Sequence, residues 1–160
     1  IAERPHIPGA LASSPFDDDG VATRDREVVQ DGVLQGYFLS TYSARKLGMQ
    51  TTGNAGGSHN LLVKPGKHDL EGLLREMGTG LLVTELLGQG VNYVTGDYSR
   101  GAAGYWVEKG VIAYPVQEIT IAGNLREMFG GIVDIGSDVL VRGSKNVGSI
   151  LIDRMTIAGN

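Results

Sequence analysis

The sequence predicts an α+β fold with a mostly antiparallel β-sheet, about three short helices and many glycine turns. Three observations carry this prediction. The chain has 25 glycines in 160 residues, spread among Val, Ile and Leu rather than gathered in a linker, which marks many turns between short strands. One segment, from Asp69 to Gly78, has the 3.6-residue apolar period of an amphipathic helix. A third, 92 to 122, is β-textured throughout.

The elements follow in order. Ile1 to Pro15 contains Pro5, Pro8 and Pro15 and reads as exposed chain, so 1–25 is expected to be an extended connection from a missing N-terminal region, with the domain proper at 26–160. Asp31-Gly32 between Val28-Val29 and Val33-Leu34 suits the positive φ angles of a type I′ turn and predicts a hairpin over roughly 26 to 39. Ser40 to Gly48 offers hydroxyl caps, Ala44 at its centre, Arg45 and Lys46 in the last turn and a terminal glycine, which predicts a short helix. Thr51 to His59 is a polar loop before a strand at Asn60 to Lys64, ended by Pro65-Gly66.

Leu70, Leu73, Leu74 and Met77 recur at i, i+3, i+4 and i+7, with Asp69 as N-cap and Gly78 as the stop. The apolar run Gly80 to Leu87 predicts a strand covered on both faces, one of them by that helix. Tyr105-Trp106-Val107 and Val111 to Ile121 flank Glu108-Lys109-Gly110 and predict a long antiparallel hairpin. Asn124, three residues before Glu127, resembles a capping box and starts a short helix. Strands are expected near 131 to 135, 138 to 142 and 147 to 153. Thr120-Ile121-Ala122-Gly123-Asn124 recurs as Thr156-Ile157-Ala158-Gly159-Asn160, and both copies read as strand ends running into turns.

Composition excludes several function classes. Fourteen basic against 18 acidic side chains give a net charge of −4, which supplies no field to draw the chain to nucleic-acid phosphates. With no cysteine there are no disulfides or thiolate ligands. No apolar run approaches the roughly 20 residues of a membrane-spanning helix, and the expected location is the cytoplasm.

No complete catalytic constellation emerges from spacing. His6, His59 and His68 are not at helical spacing and none precedes a glutamate, so no zinc-hydrolase motif is present and all three read as surface or loop histidines. Asp17-Asp18-Asp19-Gly20 fails as a calcium loop, because Gly20 at the sixth position puts Pro15 at the first and Arg26 at the twelfth. Gly53-Asn54-Ala55-Gly56-Gly57 lacks a phosphate-binding lysine and leads into a strand. Gly96-Asp97-Tyr98-Ser99-Arg100-Gly101 is one residue too long for a nucleophile elbow, and no histidine lies near Ser99 in sequence. The expected catalytic and metal residues are therefore none.

Gly96 to Gly110, with Tyr114 to Leu125, resembles the PmbA (TldE) branch of the TldD/PmbA family. The resemblance extends through Pro8-Gly9, Gly20 to Asp25, Ala44 to Gly48 and Thr52 to Ala55, and downstream through Ile152 to Asn160. It implies that 26–160 is the C-terminal domain of a longer subunit. It further implies that PmbA-like and TldD-like subunits form a bacterial cytoplasmic metalloprotease complex acting on unfolded peptides, with maturation of a peptide antibiotic and degradation of an antitoxin among its roles; the older family label is modulator of DNA gyrase. In the TldD-like subunit the zinc is held by a histidine-glutamate helix motif and a cysteine, neither of which this chain has. The implied cofactor is zinc in the partner subunit and none in this chain.

The resemblance thus implies a non-catalytic partner of a TldD-like subunit, as a heterodimer or as a homodimer in isolation, that contributes dimer and substrate-chamber surface. Asp97, Tyr98, Ser99 and Arg100 are the candidate contacts for peptide or partner: they offer charge and an aromatic face, and the flanking glycines permit close backbone approach. The alternatives are an independently active metallopeptidase with ligands in the missing N-terminal part, and a gyrase-modulating interaction protein. No nucleic acid and no membrane are expected as partners.

Overall fold

The computed structural model describes residues 1–159. They form two compact units, Ile1–Pro65 with Val139–Gly148, and Gly66–Asp138 with 149–159. The architecture is α+β, with three helices among the described residues and strands that pair antiparallel at every ladder but one.

In the first unit β1 (Ala2–Glu3) pairs antiparallel with β2 (Arg26–Glu27) and with β5 (Leu61–Leu62). A strand from late in the chain, β10 (Lys145–Asn146), adds to β5 in parallel. The hairpin β3 (Val29–Gln30) to β4 (Val33–Leu34) turns at Asp31 and Gly32, with φ of 49° and 77°, as a type I′ turn requires. It is shorter than the expected 26 to 39 because Arg26 and Glu27 pair with β1 instead. Residues 1–25, expected as an extended connection, supply β1 and two buried carboxylates, Glu3 and Asp17. Of their three prolines Pro5 is buried, while Pro8 and Pro15 are exposed. Helix α1 (Thr41–Lys46) starts at Ser40, whose side chain accepts from the Ser43 N–H. Val28, Leu39 and Ala44 are this unit's buried apolar residues.

In the second unit α2 (Leu70–Met77) has the predicted ends: the Asp69 side chain accepts from the Gly72 N–H, and Gly78 stops the helix at φ 68°. It buries Leu73 and Leu74. The sheet runs in the order β12 (Thr156–Ala158), β8 (Val111–Asn124), β7 (Asp97–Glu108), β6 (Gly80–Leu87). The β7–β8 turn places Lys109 and Gly110 at φ 52° and 77°. The short helix α3 (Leu125–Gly130) follows, capped by Asn124, which accepts from the Arg126 N–H. β9 (Ile132–Ile135) pairs antiparallel with β11 (Ile150–Ile152).

Three expectations need correction. β6 is an edge strand whose second half is exposed, and the apolar sides of α2 and β6 line a cavity of about 880 Å³ rather than closing on each other. Residues 138 to 142 form no strand; at their start the Asp138 carboxylate accepts from the Ser149 N–H and hydroxyl, at 3.0 and 2.7 Å. The two Thr-Ile-Ala-Gly-Asn copies are also more than strand ends. They pair with each other, Thr156 opposite Ala122, Ile157 opposite Ile121 and Ala158 opposite Thr120; Asn160 lies outside the described residues.

Candidate functional site

The segment Asp97 to Arg100 opens β7 directly after a tight turn. In that turn the Asn92 side-chain oxygen accepts from the N–H groups of Val94 and Thr95, at 2.9 and 3.2 Å, and the Gly96 N–H donates 2.8 Å to the Asn92 carbonyl. Asn is suited to this, since its side-chain oxygen mimics a turn carbonyl. Thr95 donates 2.6 Å to the Asp97 carboxylate, and the Asn124 amide reaches the Thr95 carbonyl at 3.0 Å. The segment is therefore rigidly held at its entry.

Its backbone is occupied on both sides. Val91 bridges to Tyr98, the Ser99 N–H donates 2.7 Å to the Gly90 carbonyl, and on the other flank Tyr98, Ser99 and Arg100 pair with Gly123, Ala122 and Ile121. A Cβ on Gly90 would collide with the Ser99 carbonyl oxygen. The close backbone approach anticipated from the glycines is thus made by the chain's own residues 90 and 91, and Asp97 to Arg100 present side chains alone. Asp97 and Ser99 are exposed, while Tyr98 is half-buried and joins Leu81, Val83, Ile121, Met128 and Ile157 in the wall of the cavity. Arg100 lies opposite Ile121; its Nη2 reaches the Leu86 carbonyl at 3.4 Å, and its Nε is buried without a hydrogen-bond partner. Ser99 has no histidine bonded to it among the described residues.

The histidines have separate fates. His6 is exposed and lies 3.0 Å from the Thr23 hydroxyl. His59, expected as a surface or loop histidine, lies in a loop and is buried beside Glu3. That carboxylate is 1% exposed and accepts from Arg26 Nε at 2.7 Å, from the Asn54 amide at 2.8 Å and from the His59 N–H at 2.8 Å. Burial pushes the Glu3 carboxyl up, but these donors together hold it below the usual glutamate range. Both carboxylate oxygens face donors of their own unit, which makes the group a structural anchor.

His68 belongs to a different cluster. Its Nδ1 lies 2.9 Å from Asp134 Oδ2 and 3.4 Å from Glu76 Oε2, and the three ligand-type atoms all fall within 4.8 Å of one another. The His68 hydrogen bond, with the Ile135 N–H, holds the Asp134 carboxyl below its usual range. One imidazole nitrogen and two carboxylate oxygens with a solvent-facing side fit the three-ligand, open-position pattern of an accessible zinc site. Spacing could not reveal the group, because Asp134 is 66 residues from His68 and arrives from β9; the one local signal is a histidine immediately before a helix cap.

Comparison with known proteins adds the following. A family model described as PmbA/TldA metallopeptidase C-terminal domain matches residues 1–159. The chain is 58% identical to "Metalloprotease PmbA homolog" of Haemophilus influenzae, across 100% of this chain and 36% of that protein. It is 55% identical to "Metalloprotease PmbA" of Escherichia coli O157:H7, across 99% of this chain and 35% of that protein. Among solved structures, a protein of Bacteroides thetaiotaomicron described as a modulator of DNA gyrase matches with a TM-score of 0.91 and 32% identity, over 99% of this chain and 36% of that one. TldE from Thermococcus kodakarensis matches with a TM-score of 0.83 and 25% identity, over 99% of this chain and 39% of that one. The chain thus spans little more than a third of the length of these relatives.

Proposed function

The chain belongs to the family of PmbA/TldA metallopeptidase C-terminal domains, and on that premise we propose that it is the PmbA-type part of a two-subunit metalloprotease. In this reading a TldD-type partner supplies the zinc chemistry, and this chain contributes dimer and substrate-chamber surface in the cytoplasm. The observation that carries the reading is the edge strand β6, whose outer side has no strand partner among the described residues, beside the apolar cavity that Tyr98 helps to line. An edge strand can hold an extended peptide by main-chain pairing, with side-chain pockets adding modest preference. That suits unfolded peptides as substrates. Of Asp97 to Arg100, Tyr98 would act through its side chain at the cavity wall, while Asp97, Ser99 and Arg100 flank it on β7.

The test is reconstitution of the full-length subunit with a TldD-type subunit. Zinc-dependent cleavage of an unfolded peptide by the pair, and none by either subunit alone, is the expected result. Equal cleavage by the PmbA-type subunit alone would replace this reading with that of an independently active metallopeptidase, the alternative favoured by the convergence of His68, Glu76 and Asp134.

A further inference from the structure

We propose that His68, Glu76 and Asp134 form a binding site for one divalent transition-metal ion of the zinc class. The inference does not rest on the partner-subunit reading. The three side chains come from two pieces of backbone, His68 and Glu76 from the two ends of α2 and Asp134 from β9. His68 sits just before the α2 cap, and its carbonyl accepts from both the N–H and the hydroxyl of Ser137, at 2.8 and 3.1 Å. On β9 the Asp134 Oδ1 accepts from the Ile135 N–H at 2.8 Å, which leaves Oδ2 facing His68. The Gly66 N–H donates 2.6 Å to the Ile135 carbonyl, and a Cβ on Gly66 would collide with Asp134 Oδ1, so a side chain at position 66 would displace the carboxylate. Glu76 approaches from the last turn of α2.

Charge and geometry favour an ion over a simple salt bridge. A protonated imidazole has a single N–H at Nδ1, which serves Asp134 at 2.9 Å and leaves Glu76 at 3.4 Å without a proton of its own. Among the described residues no Lys or Arg pairs with Glu76 or Asp134, so two carboxylates share one positive charge at most. A divalent ion neutralises both and takes the imidazole nitrogen as a third ligand. Metal–ligand bonds of about 2.0–2.1 Å in tetrahedral geometry set neighbouring ligand atoms roughly 3.3 Å apart, close to the two nitrogen–oxygen separations here. The imidazole selects the zinc class over calcium or magnesium, which prefer all-oxygen shells. His68 and Glu76 are exposed, which leaves the remaining position to water.

The test uses the full-length subunit purified without any partner and stripped with EDTA. Zn²⁺ titration by calorimetry is compared with that of Glu76→Gln and Asp134→Asn, and Co²⁺ absorption reports the ligand field. The wild type is expected to bind one equivalent more tightly than either variant by at least about tenfold, with a Co²⁺ band that weakens in both. Glu76 makes no other hydrogen bond or ion pair among the described residues, so Glu76→Gln keeps the test informative if Asp134→Asn lowers stability. Identical isotherms for wild type and Glu76→Gln, or no Zn²⁺ binding by the wild type, would overturn the proposal. Neither result bears on cleavage by the two-subunit complex, which is measured separately.

Discussion

Arg26 meets Glu3 through a 2.7 Å charge-assisted hydrogen bond in which the two side chains are only 12% and 2% exposed. Two neighbours reinforce it: the Arg26 guanidinium lies over the Phe38 ring, 4.8 Å from its centroid, and a second guanidinium nitrogen reaches the Asn54 side-chain oxygen at 3.1 Å. Arg26→Ala strands a buried carboxylate and is expected to destabilise by about 3–5 kcal/mol. Glu3→Gln keeps the shape and one acceptor, and costs less. Thermal melts of the full-length protein check the order; an Arg26→Ala melt equal to wild type would contradict it.

The same donors predict acid sensitivity. Glu3 and Asp17 are both buried, which raises their carboxyl groups, yet both end lowered by hydrogen bonds, Asp17 by the N–H groups of Ala55, Val21 and Asp19. A lowered folded-state value means that the stabilisation is fully present above the unfolded values, near pH 4, and is lost as pH falls through the folded ones. Denaturant midpoints should therefore be flat above about pH 5 and decline below about pH 4. Glu3→Gln should flatten part of that decline.

Gly90→Ala introduces a Cβ onto the Ser99 carbonyl oxygen, a backbone atom that cannot move without breaking the Ser99–Gly90 bond. A loss of several kcal/mol is expected, of the size reserved for backbone clashes. Limited proteolysis should then cut near 90 to 100. Gly88→Ala, with open space around its Cβ position but a φ of 73°, should cost only about 1 kcal/mol.

Tyr98→Ala, at the cavity wall, and Arg100→Ala, two residues further along β7, are expected to lower kcat/KM for an unfolded peptide by about tenfold in the reconstituted complex, the effect of about 1.4 kcal/mol of lost transition-state binding. Asp97→Asn and Ser99→Ala, on exposed side chains, should change it less. Steady-state kinetics with matched zinc content are the check, with pull-down of the partner subunit to separate binding of peptide from assembly. Equal kinetics for all four variants would remove this segment from the chamber.

Local signals were enough for much of the fold. The Asp69 cap, the Gly78 stop and the Asp31-Gly32 and Lys109-Gly110 turns all depend on residues within a few positions of one another, and the long β7–β8 hairpin extends outward from the second of those turns. That is why period and turn chemistry reveal them in the sequence.

Contacts between distant residues were decided only by tertiary structure. No local pattern predicts that Glu3 is buried by Asn54 and His59, that the two five-residue copies pair with each other across Ile121 and Ile157, or that His68 meets Asp134. A charged residue reads as exposed until the fold supplies its donors, and a ligand set drawn from separate elements has no spacing to read. The sequence by itself determined the three helices, the two tight turns and the β7–β8 hairpin; tertiary packing decided which short segments pair as strands and which polar groups are buried, because each such group needs partners that only long-range closure of the chain brings within hydrogen-bond reach.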